Sequence, residues 1–516
     1  MSLRGLRDLW VEFCTGGTVY AMRYLVLAKL LLIERLWWLL CIGGSAAITL
    51  LTITSTYRKY HNNPLIISYA SELVPISAIP FPAVTVCPMA KTSVEELNLT
   101  EVFETVVLRK EPLSWDRLEK LNSLAHVCSE LTAVFDFTEP LNDTSVETLM
   151  GMAPPSTEHF LHSYWSNSVL EPSEVLTDSL TDKGLCFTFN AIAAEDLYRV
   201  ENLHSEYQYS KATRRSQNWS MEGGYGQGES YPYRSFRRGL QGGLLLDLGS
   251  RRLDDEVFCE GLLDGFKVLI HAPDEVPMVN DFYYRLPMSA YVALVLVPEL
   301  TVVAASLNSY PYTSRQCYFS GEKYLRYFKV YNQNNCLAEC VANRTADICG
   351  CVHLAMVRGP DTRICNAHEI ACYRAVYADT YSSQARFDGQ WQDACGCLPT
   401  CKTVRYDVEI SQLPFNYEAY IWALGFDYSE ADEYVTSSLT VTFKNNQMLP
   451  LIRRELIGFG DMLARFGGLY GLMMGASVVS LMEILYYVAI RPWRDFCYHR
   501  RVRRFHDVHG VLPWHP

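Results

Sequence analysis

The sequence lacks the short motifs that mark common catalytic and nucleotide-binding sites. It contains no G-x-S-x-G, no H-E-x-x-H, no P-loop and no Rossmann glycine fingerprint. His271 ends an apolar run just before Ala272 and Pro273, a place where a structural histidine is expected more often than a general base. We therefore expect a protein that is not an enzyme and that carries no cofactor and no metal site.

An excess of basic residues is also missing. The net charge of the 516 residues is −12, and residues 58–460 alone carry 33 basic and 50 acidic residues, a net charge of −17. Such a segment argues against a nucleic-acid partner. It is compatible with attraction of cations, and equally with an ordinary solvated extracellular surface.

Two long stretches have almost no charge. Leu36 to Thr56 reads LWWLLCIGGSAAITLLTITST without a charged residue, and Phe466 to Ile490 reads FGGLYGLMMGASVVSLMEILYYVAI with one. About 20 apolar residues span a bilayer, so both stretches are predicted to be transmembrane helices. A buried core helix is the alternative for the first stretch, and its length disfavours that alternative.

The single charge in the second stretch is Glu483. A carboxylate facing lipid costs about 3 kcal/mol or more, so this side chain is expected to face protein or water. Gly475, Ala476 and Ser477 lie six to eight positions earlier, and small residues allow close helix approach and expose backbone carbonyls. Together they favour a pore over the alternative, ordinary helix packing around a buried neutral Glu.

The cysteines and the arginines predict the topology. Fourteen of the seventeen cysteines lie between the two stretches, and an even number there is typical of disulfides in an oxidising compartment. Zinc binding at the Cys-Gly-Cys sequences is the alternative, but it needs reduced thiols and more often a Cys-x₂-Cys spacing. Four glycosylation sequons fall in the same segment, at Asn98, Asn142, Asn218 and Asn343.

Residues 1–35 lack the apolar core and cleavage site of a signal peptide, and arginines follow the second stretch. By the positive-inside rule both termini are cytoplasmic. The predicted organisation is therefore a cytoplasmic segment 1–35, a transmembrane helix 36–57, a disulfide-rich extracellular domain 58–460, a pre-pore segment and second transmembrane helix 461–490, and a cytoplasmic basic tail 491–516.

Within the extracellular segment, helices and strands are both predicted, which gives an α+β class. Alternating or β-branched runs indicate strands at 81–87, 184–190, 405–410 and 437–443, and two further runs, 265–271 and 290–297, are predicted to be buried strands. Helical patterning covers much of 91–180 and an amphipathic helix is predicted at 320–344. The Tyr-, Gly- and Ser-rich residues 201–256 are predicted to be surface loops.

Several of these stretches together resemble the degenerin/epithelial sodium channel family, most closely its insect pickpocket branch. The resemblance rests on FPAVTVCP after the first span, GLCFTFN at 184–190, GFKVLIHAPDEVP at 265–277 and CYFSGEKYLRYFKVYNQNNCLAEC at 317–340. It also rests on CGC at 349–351, CGCLPTC at 395–401 and the final span. It covers nearly the whole chain and is weakest at 91–180 and 201–256.

The resemblance implies a voltage-independent, amiloride-sensitive sodium channel of the plasma membrane. It implies two transmembrane helices in a trimer, of one chain or mixed with related subunits, in contact with membrane lipid and with Na⁺ as the permeant ion. The large ectodomain would have a β palm and a helical finger and thumb. The disulfides it implies are Cys87–Cys186, Cys128–Cys259, Cys317–Cys401, Cys336–Cys397, Cys340–Cys395, Cys349–Cys372 and Cys351–Cys365.

The same resemblance implies roles for individual pore residues. Gly475, Ala476 and Ser477 match the family's selectivity motif, Glu483 an acidic position below it, and Ala464 the small residue where bulk holds such channels open.

This sequence differs from the family's motifs at two places. The cytoplasmic gating motif Thr/Ser-x-His-Gly is here Thr18-Val-Tyr20-Ala21, and the acid that often follows the Ala464 position is here Arg465. Gly adopts positive φ easily and Ala does not, and a ring of cations at a pore mouth would repel Na⁺. A non-conducting accessory or receptor subunit of the same fold is therefore the alternative function.

Overall fold

The computed structural model describes residues 3–498 apart from 63–64, 129, 136, 138–145, 207–214, 229, 255–258, 260–262, 280–281, 385–394, 418, 420–421, 423–433, 495–496. Two compact units share these residues. One consists of residues 1–66 with 454–516, and the other of residues 67–453. Of the earlier predictions, the sequon Asn142 and the tail arginines from 499 onward lie outside the described residues.

The helices are, in chain order, α1 Leu3–Gly16, α2 Arg23–Val26, α3 Leu32–Asn62, α4 Leu99–Phe103, α5 Trp115–Leu124, α6 Leu131–Val134, α7 Val146–Met152, α8 Ser156–His159, α9 Pro172–Val175, α10 Ala194–Leu197, α11 Tyr312–Arg315, α12 Gln333–Cys349, α13 Ile370–Gln384, α14 Phe459–Met474 and α15 Val478–Leu485. A π-helical turn, Tyr486–Ile490, continues the last of these.

The strands are β1 Leu65–Tyr69, β2 Val74–Pro75, β3 Ala83–Pro88, β4 Phe160–Trp165, β5 Ser168–Val169, β6 Leu176–Thr181, β7 Gly184–Phe189, β8 Trp219–Ser220, β9 Gly224–Tyr225, β10 Leu244–Arg251, β11 Phe266–His271, β12 Tyr284–Leu286, β13 Ala290–Val303, β14 Thr403–Pro414, β15 Tyr434–Phe443, β16 Gln447–Met448 and β17 Leu451–Glu455. Each of the six predicted strands is observed, with ends shifted by a few residues.

Two sheets form the centre of the larger unit. The wider one has the order β1-β17-β13-β15-β10-β4-β5, with β14 on the free side of β13, and the narrower one β12-β11-β3-β7-β6. Residues of β13 alternate between buried and half-buried, as a strand with one face on a core requires. Strands of both sheets contribute to one hydrophobic core, where Phe81, Phe187 and Phe266 are fully buried.

One predicted helix is shorter than expected. Residues 320–332 are irregular, and the helix begins only at Gln333, because Asn332 accepts a hydrogen bond from the Asn335 N–H and caps it. The Glu339 carboxylate accepts hydrogen bonds from the backbone N–H groups of Arg326 and Tyr327, which holds that segment as a loop. The predicted helical region 91–180 likewise ends in strands, β4 to β6.

Seven disulfides join the cysteines of the larger unit, and they are the same seven pairs that the family resemblance implies. Three of them attach α12, through Cys336, Cys340 and Cys349. Bridges of this loop length typically stabilise a fold by about 2–4 kcal/mol each.

In the smaller unit, one described helix is long and apolar enough to cross a membrane, over Leu32–His61. It is longer at both ends than the predicted span. The second predicted span is not one helix: α14 and the helical segment Val478–Arg494 meet at a bend of 77°.

Candidate pore site

The break in the second span falls on Gly475, Ala476 and Ser477. Helix α14 ends because Gly475 takes a left-handed conformation, with φ 63° and ψ 23°, while its N–H donates to the Gly471 carbonyl at 2.9 Å. Helix α15 begins at Val478, and the extended backbone and hydroxyl of Ser477 before it form the N-cap. The three small residues therefore terminate one helix and start the next.

Reciprocal hydrogen bonds stabilise the start of α15. The Ser477 N–H donates to the Ser480 hydroxyl at 3.0 Å, and the Ser480 N–H donates to the Ser477 hydroxyl at 3.4 Å. Helix ends leave backbone carbonyl and N–H groups without partners inside the helix. Non-helical backbone at membrane depth is tolerated where it is enclosed by protein or lines a water-filled path. Such a break can therefore present backbone oxygens to a cation.

The side chain of Glu483 contacts the N-terminal segment of the chain. Its Oε2 accepts hydrogen bonds from the Thr18 N–H and from the Thr18 hydroxyl, both at 2.8 Å. The Thr18 Oγ1 also lies 2.7 Å from the Ser480 Oγ. The carboxylate is thus satisfied by a segment 465 residues away in the chain.

These contacts join the N-terminal gating segment to the pore acid, which were predicted from the sequence as two separate sites. Thr18, predicted from the gating motif, is bonded to Glu483, predicted as the pore acid. Ser480 connects Thr18 to Ser477, because it is bonded to both. The result is a continuous polar network from the N-terminal segment to the helix break, and buried Ser480 is the member that sequence reasoning missed.

Two further contacts attach helix α1 to the end of the second span. The Arg491 guanidinium lies 2.6 Å from the Glu12 carboxylate, and the Phe13 and Tyr487 rings meet edge to face at 5.5 Å. Neither pair was predicted. A chain of this length contains many oppositely charged and aromatic residues far apart in sequence. A single sequence therefore does not indicate which of them pair.

Tyr20 and Ala21 lie in a short 3₁₀ turn, Tyr20–Met22, which begins two residues after Thr18, the residue that contacts Glu483. A Gly at position 21 is not needed for backbone reasons, because Ala21 does not have positive φ. The position in this segment that requires glycine is Gly17, between the end of α1 and Thr18. A β-carbon there would lie 2.6 Å from the Phe13 carbonyl oxygen.

Ala464 and Arg465 lie on α14, about three helical turns before the break. Both are exposed, and Arg465 forms no ion pair within the part of the chain that the structure describes. They are therefore not part of the Thr18–Glu483 network.

The described sequons are accessible to different degrees. Asn218 and Asn343 are exposed, and Asn343 lies on α12. Asn98 is half-buried and caps α4, where its Oδ1 accepts from the Glu101 N–H at 3.0 Å.

A metal centre was not predicted, and the one candidate group of ligands in the described ranges does not make one. Cys351, Cys365 and Glu369 lie close together, but the two cysteines are bonded to each other. A disulfide has no thiolate to offer a metal.

Comparison with known proteins matches this chain to one family. A sequence model described as "Amiloride-sensitive sodium channel" matches residues 13–487. Pickpocket protein 28 of Drosophila melanogaster is 25% identical over 96% of this chain and 80% of its own length. Sodium channel protein Nach of the same species is 21% identical over 94% of this chain and 88% of its own length.

A third relative, Pickpocket protein 11 of Drosophila melanogaster, is 24% identical over 93% of this chain and 75% of its own length. Among solved structures, the cryo-EM structure of a proton-activated chloride channel covers 88% of this chain, with 7% identity and a TM-score of 0.30. That score is too low to carry an argument about the fold.

Proposed function

Because the chain belongs to the amiloride-sensitive sodium channel family, as an insect pickpocket-like subunit of the degenerin/epithelial sodium channel group, we propose that it lines the pore of a voltage-independent, amiloride-sensitive sodium channel. The family consists of ion channels and not of enzymes, and its members act at the plasma membrane as multi-subunit assemblies. A sensory role is part of the proposal.

The proposed assembly is a trimer, of this chain alone or with related subunits, in contact with membrane lipid. Residues 58–460 are extracellular and both termini cytoplasmic, in agreement with the arginine bias and with seven disulfides in the larger unit. The two sheets correspond to the palm, and α12 with α13 to the thumb.

The observation that supports the pore most strongly is the helix break at Gly475, Ala476 and Ser477, coupled to Glu483 through Ser480 and Thr18. In the proposed mechanism, three such breaks surround the axis. Their backbone oxygens replace part of the hydration shell of Na⁺. The Glu483 carboxylates raise the local cation concentration, and their bonds to Thr18 hold the N-terminal segment beside the ion path.

The test is the current of the full chain in Na⁺ and in K⁺, recorded from the assembly that conducts best. Glu483→Gln preserves shape and removes the charge, so we expect a smaller unitary current at unchanged surface expression. Replacement of Ala464 by a larger residue is expected to prolong the open state of the channel. Glu111→Gln, at an exposed ectodomain position, is the matched control. If Glu483→Gln behaves as this control does, the segment does not line the pore.

A non-conducting accessory or receptor subunit is the second candidate, and exposed Arg465 is the observation that favours it. Three cations at a mouth would repel Na⁺, so this chain would then conduct only when mixed with subunits that carry another residue there. Current from the chain expressed alone, compared with current from co-expression with related subunits, separates the two candidates.

A further inference from the structure

The larger unit contains a cavity of about 570 Å³, within the range of about 300–1,000 Å³ that small-molecule sites occupy. Its walls come from β6 and β7, from α10, from the segment after β11, and from α12 and α13. Apolar side chains form much of the lining, among them Leu180, Ile192, Leu197, Val276 and Val357. A cavity of this size and composition fits the apolar body of an organic molecule.

A group of buried polar side chains forms part of the same wall. His126 and His353 are both buried, with their rings 5.5 Å apart, and the Tyr373 hydroxyl lies 3.4 Å from the His126 Nδ1. His126 is only 4% exposed. These residues add polar side chains to a lining that is in large part apolar.

Both imidazoles are neutral at physiological pH. Burial lowers the pKa of His353 to about 4, and it lowers the pKa of His126 well below its usual value. The positive charges of Arg374 and, for His353, Lys183 act in the same direction. A neutral imidazole can donate one hydrogen bond to an anionic group without adding a charge of its own.

The charged residues of the lining favour an anion at this end. Lys183 is half-buried and Arg374 lies at the exposed rim; neither forms an ion pair within the described ranges. Asp182 is the acid beside them. The other acid of the lining, Glu275, interacts with Asp274 and Arg405 instead, and burial raises its pKa to about 7.

We propose that this cavity binds an amphipathic organic anion, such as a medium-chain fatty acid. Its carboxylate lies between Lys183 and Arg374, beside the His126 imidazole, and its apolar body lies against Ile192, Leu197 and Val276. A ligand held between β6–β7 and the disulfide-bonded helices α12 and α13 restrains how these elements move against one another. The site does not depend on whether this chain conducts ions.

The test is photoaffinity labelling of the full-length protein in cell membranes, with dodecanoate that carries a diazirine near its methyl end as the probe. We expect adducts on residues 190–198 and 273–278, protected by excess dodecanoate and not by dodecylamine. Adducts elsewhere, or equal protection by the amine, would overturn the proposal. Labelling requires no current, so its outcome is independent of the pore proposal.

Charge variants make the test specific. Lys183→Gln and Arg374→Gln are each expected to weaken protection by dodecanoate about tenfold, as loss of a hydrogen bond to a charged group does. His126→Phe keeps an aromatic ring and removes both ring nitrogens from this wall, and a loss of several-fold is expected. Arg238→Gln, at an exposed position, is the matched control. If the Lys183 and Arg374 variants, once shown at the cell surface, bind as this control does, the anion site is refuted.

Discussion

Replacement of Thr18 by Val tests whether the N-terminal segment is held to the second span by Glu483. Valine keeps the β-branched shape and the backbone N–H, so one of the two bonds to the carboxylate survives. It removes the hydroxyl, which donates to Glu483 and contacts Ser480. We expect the N-terminal segment to dissociate from the second span more often.

The magnitude follows from the bonds that are lost. A hydrogen bond to a charged group contributes about 1.5–3 kcal/mol, and one between hydroxyls about 0.5–1.5 kcal/mol. Water replaces part of both in a half-buried site, which leaves a net loss of about 2 kcal/mol. That loss corresponds to roughly a 30-fold larger population of the released segment.

Cys14 provides a direct assay. It lies on α1, only 2% exposed, four residues before Thr18. In a Cys41→Ser, Cys497→Ser background it is the one remaining cysteine outside the seven disulfides. The rate at which N-ethylmaleimide modifies Cys14 in permeabilised membranes therefore reports release of the segment. We expect the Thr18→Val rate to rise by an order of magnitude or more.

Thr15→Val is the matched control, since it makes the same chemical change one turn earlier. The Thr15 hydroxyl donates only within its own helix, to the Val11 and Glu12 carbonyls. Equal modification rates in the two variants would refute the reasoning. So would additive effects of Thr18→Val and Glu483→Gln on that rate, because bonded partners must couple.

Four further predictions concern the same two units. Gly17→Ala should raise the Cys14 modification rate as Thr18→Val does, because its β-carbon would lie 2.6 Å from a carbonyl oxygen, while Gly16→Ala, with no atom within 4 Å, should not. Gly475→Ala should cost about 1–2 kcal/mol of backbone strain at φ 63° and alter Na⁺/K⁺ preference measured from reversal potentials; an unchanged preference would count against the break as filter. Asp274→Asn should raise the melting temperature at pH 8 and not at pH 4. Burial raises the pKa of Asp274 from 3.8 to about 6, so the folded state holds an extra proton between these values and loses stability as pH rises through them; equal shifts at both pH values would contradict this. Arg465→Asp should increase Na⁺ current at constant surface expression, and no increase would exclude a mouth position.

Many strands of the larger unit were predictable because the residue patterns that indicate them lie within each strand. The continuous apolar run at the start of β13 and the β-branched residues of β3 each indicate a strand without reference to the rest of the chain. The first half of the helix predicted at 320–344, residues 320–332, was wrong for the opposite reason. Its apolar residues, among them Leu325 and Phe328, pack as a loop, because Glu339 binds two backbone N–H groups of that loop. Such a contact outweighs helical propensity, and the residues of the loop itself contain no signal that predicts it.

The candidate site shows where a single sequence stops being informative. Its residue types were predictable, since a carboxylate within a span demands a partner and small residues permit a helix break. The partner was not predictable, because any nearby hydroxyl or N–H would satisfy Glu483 equally well. The departure at Ala21 illustrates the same limit. It suggests a disturbed loop if positive φ is assumed there, yet Ala21 does not have positive φ. The steric demand for glycine falls on Gly17 instead, where a β-carbon would lie 2.6 Å from the Phe13 carbonyl oxygen. The effect of a substitution thus depends on whether neighbouring atoms leave room for a side chain at that position. The fold determines the position of those atoms.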